Sequence, residues 1–412
     1  MFGQYLSISP PKPRYEVADV LRLWLADYRK KYKTTYRQEE VIRAILACRT
    51  PGMGGVVNHC EACGAVQFVF RSCGDRHCPK CGKYRKAEWV VRQQILELPI
   101  PYFHVTFTTD HAINALIPAN QQVVLDAIFW AVSKTVQEFA QKRWGVQVGI
   151  TAVLHTWGQT MIPHVHIHCI VTGGGLSQDG ERFEQSGETY LFDVVALSAR
   201  YRDRLCRKLK RLYRAGKLKL VGGAADIDVE QTVAEMRAKK WEVYSKGFEN
   251  VEKLYEYLSR YVHQVAISNS RIVKIEAKEG VTIRYKDNKD GGQEKEMRLA
   301  GTEFIWRFLW HVLPRGFWRI RHYGLHHSSC RGKLSRARAL LGQAPEIPEA
   351  EELSLRQWLE AITGEDILNR CAHCGQQTMS RRGVYDSFTF LQLLVINLVS
   401  LAMVRRVPRP IS

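Results

Sequence analysis

Between Pro163 and Val171 the chain reads PHVHIHCIV, three histidines separated by single apolar residues. On an extended strand His164, His166 and His168 point to one face, and Val165, Ile167, Cys169 and Val171 to the other. Imidazoles two residues apart on a rigid strand can reach one metal ion, and burial of the apolar face holds them in place. Packing alone is a poor account of the row, because each buried ring needs a polar partner. A third ligand has two candidates. If residues 151–156 and 164–171 form a hairpin centred on Thr160 and Met161, His155 falls opposite His166, close enough to share the ion. Gln159 could reach it from the turn instead. His155 also fits as a strand-end residue bonded to the turn.

A second group is the segment LYEYLSRYVHQ at 254–264. Tyr257 and Tyr261 stand four apart and share one face of a helix, where two phenols could each attack a phosphorus. Aromatics at helical spacing are more often core, so this pair gains its meaning from the histidine strand upstream and from the chain's charge.

Cysteines form the third group. Cys60-x-x-Cys63 and Cys78-x-x-Cys81 are two knuckles with fourteen residues between them. That spacing is expected to close four thiolates around one structural zinc. Cys73, His77 and His59 lie in the same stretch and could replace a ligand or bind a second ion. Cys371 and Cys374 make a lone knuckle, for which Cys330, His326 and His327 are distant candidates to complete a second zinc site. The opening MFGQYLSISPPKPRYE lacks a charged start followed by an apolar run, so a cytoplasmic location is expected. There the eleven cysteines favour metal over disulfides.

These residues need elements to hold them. Helices are expected over 14–50 and around 123–139, 197–218 and 250–266. Strands are expected from Phe103 to Thr108, over 147–156 and 164–172, and at 271–276 and 281–286. Helices and strands mix without a βαβ alternation, which points to an α+β fold with an antiparallel sheet. The run from Phe388 to Val404 is apolar but short and carries Gln392, Asn397 and Ser400, so it reads as a buried helix rather than a membrane span. The expected divisions are a helical region at 1–50, a zinc-binding domain at 51–95 and a central nuclease domain at 96–295. A basic aromatic region at 296–343 and a linker with a small helical C-terminal unit at 344–412 complete the chain.

Sixty Lys and Arg against 41 Asp and Glu leave a net charge of +19. Such an excess favours a polyanionic partner, nucleic acid before membrane. In the aromatic and basic stretch 306–322, Arg315, Trp318, Arg319 and Arg321 are the candidates for stacking on bases and neutralising phosphates. The basic helix near 204–219 reads more simply as a charged helix surface.

Together these residues resemble a family. The His-apolar-His strand, the tyrosine pair, SCGDRHCPKC at 72–81, LHTWGQ at 154–159, IVTGGGLS at 170–177, YLSRYVHQVAISNSRI at 257–272 and RIRHYG at 319–324 are similar to the two-tyrosine rolling-circle insertion-sequence transposases, the IS91-like group. The resemblance runs from about residue 35 to 375. It implies an HUH endonuclease core and a divalent ion, magnesium or manganese, held by His166 and His168 rather than His164. It implies Tyr257 and Tyr261 as nucleophiles forming a 5′-phosphotyrosine, and single-stranded DNA at transposon ends and in the target as substrate. Related initiators carry a lysine three residues after a tyrosine. Here that position is Gln264, with Lys253, Arg260 and His263 as substitutes. A zinc-dependent DNA-binding regulator would leave the histidine strand idle, and a small-substrate metallohydrolase would need further Asp and His motifs. The oligomeric state stays open.

Overall fold

A computed structural model of the chain describes residues 13–81, 89, 96–248, 265–287, 290–347, 357, 369–389 and 391–394. Two helices open it, each started by a reciprocal cap. Glu16 and Asp19 satisfy each other's backbone N–H groups at the start of α1 (Val17–Lys31), and Thr35 and Gln38 do so for α2 (Tyr36–Ala47). The strands β1 (Gly55–Cys60) and β2 (Val66–Phe70) follow as a hairpin. Next come β3 (Tyr102–Thr108) and the long α3 (Ile117–Trp144), which ends on Gly145 in the left-handed conformation that glycine favours. The strands β4 (Val146–Trp157), β5 (Pro163–Ser177) and β6 (Phe183–Gln185) precede α4 (Val194–Arg214), α5 (Val229–Ala238) and β7 (Val243–Phe248). After residues 249–264, which lie outside the described set, come β8 (Ile272–Glu276), β9 (Gly280–Asp287), β10 (Gln293–Leu299) and α6 (Gly301–Trp310). The last are β11 (Ile320–Gly324), α7 (Arg331–Leu340) and β12 (Met379–Tyr385).

The expected α+β fold with antiparallel pairing is observed. The principal sheet has the order β11-β4-β5-β3-β7, with β6 added beside β5, so the histidine strand sits in its middle. Val165, Ile167, Cys169 and Val171 all enter the core beneath the sheet, where Phe103, Val105 and Phe107 of β3 meet α3 and α4. The alternation foreseen along β3 and β5 thus separates an apolar face from a polar one. At Gly175 a Cβ would lie 2.4 Å from the Gln147 carbonyl oxygen, so only glycine lets β5 run this close to β4.

A second core joins α1, α2 and α6 to the small sheet β10-β9-β8, and Met161, at the tip of the β4–β5 hairpin, is inserted into it. Aromatic residues of the 296–343 stretch mostly serve these cores: Phe304 and Phe308 are buried in the second and Phe317 in the first. A third sheet, β12-β1-β2, brings the C-terminal strand onto the N-terminal hairpin. The segment at 344–412 therefore contributes a strand to the sheet that carries Cys60. Among the described residues no helix is long and apolar enough to cross a membrane. Of the run from Phe388 to Val404, Phe388 and Leu391 are exposed rather than buried, and most of the remainder lies outside the described residues.

Candidate metal centre

The β4–β5 register pairs His155 with His166, the pairing that a turn at Thr160 and Met161 dictates. One candidate ligand atom from each of His155, His166 and His168 then lies within 4.8 Å of the other two. His164 belongs to the same strand face but sits further out, its ring 5.2 Å from that of His111. Gln159 is exposed in the turn.

At His166 and His168 hydrogen bonds bear on the nitrogen each ring presents. Nδ1 of His166 donates to the carbonyl oxygen of His164 at 2.8 Å, which leaves Nε2 as the lone-pair nitrogen of the neutral ring. Nδ1 of His168 lies 2.8 Å from Nε2 of His104, a β3 residue, and the Thr106 hydroxyl reaches both at 3.2 and 3.1 Å. Sequence reasoning missed His104 as part of the centre, although it shares the polar side of β3 with Thr106. Burial holds His104 and His166 down to about 4, and His168 well below the ordinary histidine value. Neighbouring imidazoles push His166 and His168 further down. All three rings are therefore neutral near pH 7, the form that coordinates metal.

The turn that sets this register is held from outside the sheet. Arg271 donates to the carbonyl of Gln159, Arg307 to that of Thr160 at 2.8 Å, and Nε2 of His311 to that of Met161 at 2.9 Å. Burial keeps His311 neutral, down at about 4, so its Nδ1 can accept from the Thr156 hydroxyl at 3.0 Å. Met161 adopts φ 59°, uncommon for a non-glycine residue, and is fully buried there. Trp157 stacks on His155 at 4.8 Å. With His311, Arg319, Val265 and Ala266, Trp157 also lines a small cavity beside the centre. Tyr257 and Tyr261, with Lys253, Arg260, His263 and Gln264, lie outside the described residues.

The cysteines correct the expected single tetrad. Cys60 and Cys63 do not close with Cys78 and Cys81. Instead Cys48, Cys73, Cys78 and Cys81 form one cluster, and Cys60, Cys63, Cys371 and Cys374 another. Cys48, which caps the C-terminus of α2, went unrecognised because its partners lie 25 and more residues ahead. The distant knuckle does find a pair, but Cys330 belongs to neither cluster. His77 belongs to neither cluster: its Nε2 accepts from the backbone N–H of Leu313 at 3.4 Å, and burial holds it neutral at about 3.

Of the four candidates for nucleic-acid contact, two are used by the fold. Arg319 packs over the Trp157 ring, and burial lowers it to about 10. Arg321 pairs with Asp126 at 2.5 Å and lies 4.2 Å from the Phe129 ring centre. The Arg315 side chain is 83% exposed and Trp318 is 77% exposed, so both face solvent.

A family model described as "Putative transposase" matches residues 149–333, which include the histidine triad, and one described as "Transposase zinc-binding domain" matches residues 20–109. The latter range holds all of Cys48, Cys73, Cys78 and Cys81; Cys371 and Cys374 lie beyond both. The chain is 36% identical to "Putative transposase y4qJ" of Sinorhizobium fredii over 91% of its own length and 96% of the relative's. It is 28% identical to "Transposase for insertion sequence element IS801" of Pseudomonas savastanoi pv. phaseolicola, over 89% and 88%. Among solved structures, the conjugative relaxase TRWC in complex with oriT DNA aligns with 38% of this chain and 68% of its own. At 15% identity and a TM-score of 0.22, that likeness is too slight to carry weight.

Proposed function

The chain belongs to the IS91-like transposases, and from that premise we propose that it is a rolling-circle enzyme of HUH type, cutting and rejoining single-stranded DNA at transposon ends and target. The observation that carries this reading is the grouping of His155, His166 and His168 on two central strands of the principal sheet. Three imidazoles would hold a divalent ion, for which the family resemblance gives magnesium or manganese. When bound, such an ion supplies Lewis-acid polarisation of a non-bridging phosphate oxygen and orients the scissile bond. His104 fixes the ring of His168, and the turn clamped by Arg271, Arg307 and His311 fixes His155 against His166.

Tyr257 and Tyr261 are the proposed nucleophiles. A phenol has a reference pKa of about 10 and attacks poorly at neutral pH unless the phosphate is activated. The phenol oxygen of one tyrosine attacks phosphorus, the bond from phosphorus to the 3′ oxygen breaks, and the phenol's proton is passed on as the 3′-hydroxyl leaves. The resulting 5′-phosphotyrosine conserves the bond, so the reverse attack by a 3′-hydroxyl rejoins strands without ATP. A second tyrosine lets one strand stay attached while another is cut.

The test is incubation with labelled single-stranded oligonucleotides from the element's ends, with magnesium or manganese, followed by a denaturing gel. A covalent adduct is expected with the natural chain and none with Tyr257→Phe/Tyr261→Phe, while Tyr255→Phe keeps it. His166→Ala and His168→Ala should retain gel-shift affinity and lose cleavage. A strong adduct in the double Phe variant would assign the nucleophile elsewhere.

A further inference from the structure

Among the described residues the sheet β12-β1-β2 has almost no apolar core. Its buried cluster consists of Cys60, Cys371 and Met379, while Val66, Val69 and Val384 are exposed. A three-stranded sheet with so little burial needs another source of stability. Cys60 and Cys63 lie on the turn between β1 and β2, and Cys371 and Cys374 on the turn leading towards β12. Sγ of Cys60 is 3.7 Å from that of Cys374, and Sγ of Cys63 is 3.8 Å from that of Cys371. Four sulfurs at the corners of a tetrahedron about a zinc, each about 2.3 Å from the metal, stand about 3.8 Å apart. A disulfide would require about 2.05 Å.

The two knuckles repeat the same backbone turn. The Cys60 N–H donates to the Ala65 carbonyl at 2.8 Å and the Gly64 N–H to that of Cys60 at 2.9 Å. In the second knuckle the Cys371 N–H donates to Gln376 at 2.8 Å and the Gly375 N–H to Cys371 at 2.9 Å. Gly64 and Gly375 take φ 73° and 77°, a left-handed bend that a side chain would strain. The His373 N–H also approaches the Cys371 sulfur at 3.4 Å, a contact that favours thiolate. Two like knuckles face each other across one tetrad.

We propose that Cys60, Cys63, Cys371 and Cys374 bind a second zinc ion, which clasps the C-terminal strand to the N-terminal sheet. The ligand pairs are 308 and 314 residues apart, so the ion closes a loop containing the whole histidine-bearing sheet. Its contribution is to folding, because the unfolded chain has no preformed site. The two sites differ in donors, one offering only thiolates and the other only imidazoles, so cobalt–thiolate absorption reports the first without the second.

Zinc content of the purified full chain tests this directly. In a His166→Ala/His168→Ala background, which removes the imidazole site, two equivalents are expected, falling to one when Cys371→Ser/Cys374→Ser is added, with tryptic cleavage at Arg381 and Arg382 becoming faster. Cys374→His keeps a zinc ligand and should retain both equivalents and the protection. Cobalt substitution gives a second readout that does not depend on the Ser variant folding well: tetrahedral cobalt–thiolate absorption should saturate at two equivalents in the natural chain. Saturation at one equivalent, or two zinc ions remaining in the double Ser variant, would overturn the proposal.

Discussion

His104 illustrates how a residue can matter to the centre without touching it. Its Nε2 lies 2.8 Å from Nδ1 of His168, and the tautomer in which His168 donates leaves Nε2 of that ring for the proposed metal. Removing such an outer partner costs about 10–100-fold in metal affinity in comparable sites. His104→Ala should accordingly raise the magnesium or manganese concentration needed for half-maximal adduct formation by about that factor. Excess metal should restore the rate, and oligonucleotide affinity should stay unchanged. An unaltered metal requirement would reduce His104 to a packing residue.

Among the elements, α3 and α4 back the sheet and are tied by charge as well as by their apolar faces. Glu138 on α3 receives Arg200 and Arg204 from α4 and Lys142 from its own helix. Burial would raise its pKa, but the bonds from Arg200 and Lys142 and the charges of Arg200 and Arg204 outweigh it and hold Glu138 down at about 2. A depressed carboxylate contributes stability above its ordinary value of 4.5, and that contribution is lost as pH falls through about 2. Urea midpoints measured from neutral pH into acid should therefore decline less steeply for Glu138→Gln, which also begins from lower stability at neutral pH. Parallel acid limbs for the two proteins would mean that these bonds give no net coupling.

For the whole molecule, the net charge of +19 implies DNA binding driven largely by counterion release, which the proposed single-stranded substrate would share. The logarithm of the binding constant should fall linearly with the logarithm of salt concentration, with a slope of about −0.7 for each phosphate neutralised. His166→Ala should show the same slope as the natural chain, because phosphate contacts spread over the surface persist when one imidazole is removed. Affinity independent of salt would instead point to recognition by stacking, with exposed Trp318 as the first residue to examine.

Local periodicity determined much of this protein. Strand period two placed Val165, Ile167 and Cys169 in the core and the histidines opposite, and the shortness of the turn was enough to set His155 against His166. The α+β class followed from the order of the elements in the same way. Tertiary structure alone decided which cysteines meet, because a C-x-x-C spacing specifies a knuckle but not the knuckle's partner. Cys60 and Cys63 join Cys371 and Cys374 because β12 pairs with β1, a contact between residues more than 300 apart that no local pattern encodes. The same holds for Arg319 and Arg321. Their sequence setting is that of a DNA-binding stretch, yet one is buried over Trp157 and the other is paired with Asp126. Whether a guanidinium meets phosphate or the protein's own rings depends on what the fold packs against it, and side-chain type is silent on that.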